Sequence, residues 1–92
     1  MDLNLSGRTI VVTGGTGGLG TAVVRKLLDL DARCAIPCYD EKELDDFPFE
    51  QHDKIYLETG IDLTDESATS EFYDRVFEQI GPVWGSIHTA GG

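Results

Sequence analysis

Five of the eight residues from Thr13 to Gly20 are glycine, and an apolar segment lies on each side of them. Glycine destabilises a helix or strand interior by about 0.5–1 kcal/mol relative to alanine, so it is expected where the backbone requires it. The segment Arg8–Val12 (RTIVV) is short and rich in β-branched residues, which predicts a buried strand. From Leu19 onward, apolar residues recur at helical spacing. The sequence therefore predicts a strand that turns sharply, through glycine, into a helix.

The rest of the chain repeats this alternation. Strands are predicted at Arg33–Cys38, with Pro37 marking its end, at Lys54–Glu58 and at Trp84–Thr89. One helical turn is predicted around Glu41–Asp46, and a longer helix runs from an N-cap at Thr64 to Ile80. The predicted core-facing residues of the two main helices are Leu19, Ala22, Val23, Leu27 and Leu30, and then Ala68, Phe72, Val76 and Ile80 beside Tyr73 and Phe77. This order predicts an α/β fold with a doubly wound parallel sheet of strand order 3-2-1-4.

The glycines have different predicted roles. Gly14 allows the tight turn, Gly18 allows a ligand to touch the backbone, and Gly20 allows the helix to pack closely on the sheet. The start of the helix then offers unpaired N–H groups and the positive end of its dipole, which suit a pyrophosphate. The alternative is a purely structural turn, but the order of strand, glycines and amphipathic helix favours nucleotide binding.

Charge and composition exclude several classes of partner. The formal net charge is −10, and seven acidic residues lie between Asp40 and Asp53 with only Lys42 to oppose them. This field repels phosphate backbones and anionic lipid, so neither nucleic acid nor a membrane surface is expected as a partner. The chain shows no secretory signal and no apolar run long enough to span a membrane. Cys34 and Cys38 would lie about 13 Å apart on one strand, so we expect no disulfide or metal site and a cytoplasmic protein.

Three motifs, in order, resemble the short-chain dehydrogenase/reductase family. TGGTGGLG (Thr13–Gly20) matches the family's Thr-Gly-x-x-x-Gly-x-Gly, and DLTD (Asp62–Asp65) resembles its Asp-rich turn after the third strand. HTAGG (88–92) stands where the family has Asn-Asn-Ala-Gly after the fourth strand, but His88 and Thr89 replace the two asparagines. Spacing through Gly17 also permits the extended-family form, and the first motif is similar to polyketide ketoreductase domains. The subfamily therefore stays open. Because His88 lies within an apolar strand, it is predicted to be a packed core histidine.

The resemblance implies a Rossmann-type fold, with residues 1–92 as the N-terminal part of an NAD(P)-binding domain that stops after the fourth strand. It implies cofactor-binding roles for Gly14, Thr16, Gly17, Gly18, Leu19, Gly20, Cys38, Tyr39, Asp40, Asp62, Leu63, Ala90 and Gly91. The first Asp of DLTD would hold the adenine amino group. At the ribose, the family's acidic position falls on Cys38 and its basic position on Tyr39, while Asp40 is close enough to reach a hydroxyl. NAD is therefore expected over NADP.

The family's catalytic Ser and Tyr-x-x-x-Lys would follow the fourth strand. No tyrosine stands four residues before any of the three lysines, so no catalytic residue is predicted here. One hypothesis is the cofactor half of an NAD(P)-dependent oxidoreductase that interconverts a carbonyl and an alcohol, with a small-molecule substrate only in a full-length form. The alternative is a non-catalytic dinucleotide-binding module. In a full-length relative a fifth strand would pair with the outer edge of the fourth, so residues 1–92 alone are expected to self-associate, to form a homo-oligomer or to be partly molten.

Overall fold

The computed structural model describes residues 5–89. Its strands are β1 (Thr9–Thr13), β2 (Arg33–Pro37), β3 (Ile55–Glu58) and β4 (Val83–His88). Its helices are α1 (Gly18–Asp29) and α2 (Glu66–Ile80), with a 3-10 helix at Glu41–Leu44. All strand pairs are parallel and the order is β3-β2-β1-β4. The predicted Rossmann-type sheet and its strand order are confirmed.

The helices cover opposite faces of the sheet. Successive side chains of a strand point to opposite sides, so neighbouring residues of β1 pack against different helices. Ile10 and Val12 of β1 pack in a core that contains Val24 and Leu27 of α1. Val11, between them, packs instead with α2, in a second core whose buried members are Val11, Ala35, Ile61, Phe72 and Val76. Strands buried on both faces explain why β1 and β2 are continuous apolar runs without polar alternation.

Both helices bury narrower faces than their spacing predicts. Leu19, in the first turn of α1, is 63% exposed and Ala22 is exposed as well, while Gly20, Val24 and Leu27 are buried. In α2, Phe77 is 60% exposed although Phe72 and Val76 are fully buried. A helix on a flat sheet presents one stripe to it, so residues at the margin of a periodic pattern stay in solvent.

The N-cap of α2 is Asp65, so the prediction of Thr64 is wrong. The Asp65 carboxylate accepts hydrogen bonds from the backbone N–H groups of Ser67 at 2.9 Å and Ala68 at 3.3 Å. The hydroxyl of Thr64 is already used, because it donates to Asp62 at 2.6 Å. A carboxylate in the first turn also suits the helix dipole.

An ion pair joins β3 to α2. The guanidinium of Arg75 donates from Nε to both carboxylate oxygens of Glu58, at 2.9 and 3.1 Å, and the Tyr56 hydroxyl donates to the same carboxylate. Burial, followed by the hydrogen bond from the Tyr56 hydroxyl to Glu58, raises the pKa of Tyr56 to about 12. The carboxylate is thus held by donors from both elements.

The open side of β4 is the most exposed part of the sheet. Trp84 is 53% exposed, and the Arg8 guanidinium lies 5.0 Å from the centroid of its ring. Ile87 is also exposed. Within residues 5–89, no helix is long and apolar enough to cross a membrane.

Candidate functional site

The glycine-rich loop joins β1 to α1 at the carboxyl edge of the sheet. Gly14 has a positive φ of 73°, a conformation that favours glycine. A Cβ added at Gly20 would lie 1.8 Å from the carbonyl oxygen of Gly14. The close approach that requires Gly20 is therefore to the Gly14–Gly15 turn rather than to the strands. The turn is closed further by a hydrogen bond from the Gly17 N–H to the Gly14 carbonyl, at 3.1 Å.

The start of α1 is open toward solvent. Its N-cap, Gly17, provides no side chain to accept a hydrogen bond, and the first turn contains no acidic residue. Gly18 is exposed, and a Cβ added there would meet nothing within 4 Å. The first N–H groups of a helix have no partner within the helix. This end of α1 can therefore accept an anionic group against the bare backbone of Gly18.

Thr89 closes the same edge from β4. Its backbone N–H and its hydroxyl both donate to the Thr13 carbonyl, at 3.1 and 2.8 Å. A Cβ added at Gly14 would lie 2.3 Å from the Thr89 hydroxyl oxygen. Thr89, where the family motif has asparagine, thus ties the end of β4 to the turn after β1, a role that was not predicted from the sequence. The only sign of this role in the sequence was that threonine replaces the asparagine of the family motif at this position.

His88 is exposed, so the prediction of a packed core histidine is wrong. It ends β4, which lies at the margin of the described sheet. Its Nδ1 lies 2.9 Å from the Thr13 hydroxyl. The predicted site residues Ala90 and Gly91 lie outside the described residues.

The end of β2 carries the residues expected at a ribose. Cys38 directly follows β2, and its side chain is buried; burial, followed by the charges of Glu43, Asp40 and Glu41, raises its thiol pKa to about 11. Tyr39 is exposed, and the Asp40 carboxylate accepts a hydrogen bond from the Lys42 N–H at 3.0 Å. Of the three predicted residues, Tyr39 and Asp40 therefore present side chains to solvent.

Asp62 forms a tight turn after β3. Its Oδ1 accepts from the Thr64 N–H at 2.9 Å and from the Thr64 hydroxyl at 2.6 Å, and these bonds lower the pKa of the carboxyl. Both bonds end on Oδ1, so they orient the carboxylate, and Asp62 is exposed, with no hydrogen bond to Oδ2 from the described residues. Leu63, beside it, is exposed. This pair can present a carboxylate oxygen and an apolar side chain to a ring.

A cavity of about 180 Å³ lies between these segments. It is lined by residues of β1, β2 and β4, of α2 and of the turn before α2: Val11, Thr13, Pro37, Leu63, Thr69, Tyr73 and His88. Pockets for drug-sized ligands are typically about 300–1,000 Å³, so this one suits one part of an extended ligand. The strand order brings Gly14, Asp62 and His88, which are far apart in sequence, to this one edge.

Comparisons with known proteins agree with this geometry. The sequence model described as "short chain dehydrogenase" matches residues 8–92. Polyketide synthase GfsA of Streptomyces halstedii is 36% identical in an alignment of 95 positions, which includes 94% of this chain and 1% of that protein. The 2,3-dihydroxy-2,3-dihydro-p-cumate dehydrogenase of Pseudomonas putida is 32% identical over 93 residues, covering 98% of this chain and 36% of that enzyme.

A solved short chain dehydrogenase from Bacillus anthracis shares the fold, with a TM-score of 0.81 and 19% identity over 94% of this chain and 35% of its own. The chain therefore spans about a third of the length of the dehydrogenases that it matches. With nearly all of its residues inside the family match, and with the glycine turn and strand order in place, this chain belongs to the short chain dehydrogenase family.

Proposed function

We propose that residues 1–92 are the N-terminal part of a dinucleotide-binding domain, in an oxidoreductase that uses a nicotinamide cofactor. The observation that carries this proposal is the uncapped start of α1. Gly17 and Gly18 offer bare backbone there, next to a turn that Gly14 and Gly20 keep tight. A pyrophosphate has the charge and the acceptor oxygens that such a helix start favours.

The neighbouring segments fit the remaining parts of a dinucleotide. Asp62 would accept a hydrogen bond from the adenine amino group, while the backbone of Leu63 would pair with the edge of the ring. The ribose of adenosine would lie at the end of β2. The residues proposed to bind the cofactor are Gly14, Thr16, Gly17, Gly18, Leu19, Gly20, Cys38, Tyr39, Asp40, Asp62, Leu63, Ala90 and Gly91. The nicotinamide would supply hydride transfer, and this chain supplies binding and orientation.

Titration calorimetry of the purified protein with NAD tests the pyrophosphate site. Gly18→Val puts a branched side chain where the pyrophosphate would lie, so NAD affinity should be lost. Ala22→Val adds a similar side chain to an exposed position one turn further along α1 and should leave affinity unchanged. Unchanged affinity in Gly18→Val would remove the proposed site.

NAD is the proposed cofactor, ahead of NADP. Asp40 follows the end of β2, where the ribose would lie, and the segment from Cys38 to Asp53 contains no arginine to hold a 2′-phosphate. Like charges in close contact weaken association, so NAD should bind more tightly than NADP. Equal affinities, or tighter binding of NADP, would show that Lys42 or a backbone contact dominates.

The alternative is a non-catalytic dinucleotide-binding module. Residues 1–92 contain no Tyr-x-x-x-Lys pair, which both hypotheses allow. The genomic reading frame and the mass of the source protein separate the two. A longer frame with Tyr-x-x-x-Lys after Gly92 supports the oxidoreductase, and a stop codon there supports the module.

A further inference from the structure

The carboxylate of Glu43 joins two loops at the carboxyl edge of the sheet. Its Oε1 accepts a hydrogen bond from the Thr16 hydroxyl, in the loop after β1, at 3.1 Å. Its Oε2 accepts from the backbone N–H groups of Tyr39 and Asp40, in the loop after β2, at 2.9 and 2.8 Å. One side chain thus receives three donors from two segments of the proposed cofactor site.

Part of this arrangement is a local capping motif. Asp40 and Glu43 form a capping box around the 3-10 helix Glu41–Leu44, in which the Glu43 carboxylate accepts from the Asp40 N–H. A capping box needs no further donor. The bonds from Tyr39 and from Thr16, which lies 27 residues away, therefore hold the charge at one place between the loops.

We propose that Glu43 is a specificity-determining residue that selects NAD over NADP. This inference rests on the proposed dinucleotide site. In a doubly wound fold, the ribose of adenosine is recognised at the end of the second strand, which is where Glu43 binds the backbone. A carboxylate accepts about four hydrogen bonds, and three are used, so one position remains for a ribose hydroxyl. A 2′-phosphate can donate no hydrogen bond when ionised and meets a like charge there.

Glu43 also removes the local donors that a phosphate would need. The N–H groups of Tyr39 and Asp40 and the hydroxyl of Thr16 already bind its carboxylate. A 2′-phosphate would have to displace an ionised group that makes three hydrogen bonds. Both the charge and the occupied donors therefore disfavour NADP at the same point.

The test compares Glu43→Gln with Glu41→Gln by titration calorimetry with NAD, NADP, adenosine 5′-monophosphate and adenosine 2′,5′-bisphosphate. The Glu43→Gln side chain would keep its shape and could still accept from both N–H groups, while the Thr16 hydroxyl can rotate. Glu41→Gln removes the same charge from an exposed position of the same short helix. We expect Glu43→Gln to raise NADP affinity relative to NAD by about tenfold or more, with a parallel gain for the bisphosphate, and Glu41→Gln to have a much smaller effect.

Three results would overturn the inference. An unchanged NADP-to-NAD ratio in Glu43→Gln, with NAD still bound by the native protein, would reject Glu43 and leave the proposed dinucleotide site standing. An equal effect of Glu41→Gln would show a general effect of the acidic segment. If the native protein bound no dinucleotide, both proposals would fail.

The native protein provides a second measurement, should Glu43→Gln not fold. Salt screens repulsion between exposed charges, so added sodium chloride should narrow the preference for NAD over NADP. NAD and NADP share the pyrophosphate, so the ratio of their affinities in each buffer removes the effect of salt on binding of that group. A ratio that does not change with salt would contradict selection by the charge of Glu43.

Discussion

Alanine at Gly20 and alanine at Gly18 add the same methyl group two residues apart, with opposite expected effects on stability. At Gly20 the new Cβ would lie 1.8 Å from the Gly14 carbonyl oxygen and 2.6 Å from the Gly15 Cα, whereas real Cβ contacts under 3.0 Å essentially never occur. Both obstacles are backbone atoms, which no rotamer change can move. At Gly18 nothing lies within 4 Å.

The magnitudes follow from two effects. Alanine has a higher helix propensity than glycine, worth up to about 1 kcal/mol at either position. At Gly18 this is the only term, so the free energy of unfolding should be unchanged or rise by up to about 1 kcal/mol. At Gly20 the turn and α1 must separate by more than an ångström, and forced overpacking typically costs about 1–3 kcal/mol or more. We expect a net loss of about 1–3 kcal/mol, out of about 5–14 kcal/mol for a domain of this size.

Urea denaturation followed by far-ultraviolet circular dichroism measures this difference. A loss of about 2 kcal/mol lowers the urea midpoint by about 1 M if the slope is unchanged. The Gly18→Ala variant is the matched control, since it carries the same change in composition and in helix propensity. A Gly20→Ala variant as stable as the native protein, or a Gly18→Ala variant equally destabilised, would refute the assignment of Gly20 to close packing against the turn.

Further predictions concern the core, the edge and pH. Phe72→Ala should lower the free energy of unfolding by about 3–5 kcal/mol, and the exposed Phe77→Ala by less than about 0.5 kcal/mol, in the same urea titrations. Thr89→Val removes the hydrogen bond from the Thr89 hydroxyl to the Thr13 carbonyl and keeps the one from the backbone N–H. In urea titrations this should lower the free energy of unfolding by about 1 kcal/mol, and Thr89→Ser should restore it. Burial raises the pKa of the Cys34 thiol to about 12, so the folded state keeps this proton to a higher pH than the unfolded chain. The contribution of Cys34 to the free energy of unfolding should therefore be fully present below pH 9.0, the ordinary pKa of a thiol, and decrease as the pH rises toward about 12. A Cys34→Ala variant whose stability falls equally steeply over this range would contradict this. Residues 1–92 expressed alone should self-associate through the exposed edge of β4; sedimentation as a sharp monomer would argue against it.

Local patterns in the sequence were sufficient for the fold. The β-branched run of β1, the glycines after it and the period of α1 and α2 all act over a few residues, so each element could be predicted within one or two residues of its bounds. The alternation of these elements then implied the parallel sheet and its order. The same local reasoning identified Gly14 as a turn residue, and its φ of 73° lies in the left-handed region that favours glycine.

What the sequence could not determine depends on contacts between distant segments. The exposure of His88 follows from the place of β4 at the margin of the described sheet, and a local apolar pattern does not report a strand's neighbours. Thr89 reaches Thr13 across 76 positions, and Glu43 reaches Thr16 across 27, because the parallel order brings the ends of separate strands to one edge. A carboxylate or hydroxyl can bind many donors, and only the tertiary structure decides which of them lie within hydrogen-bonding distance.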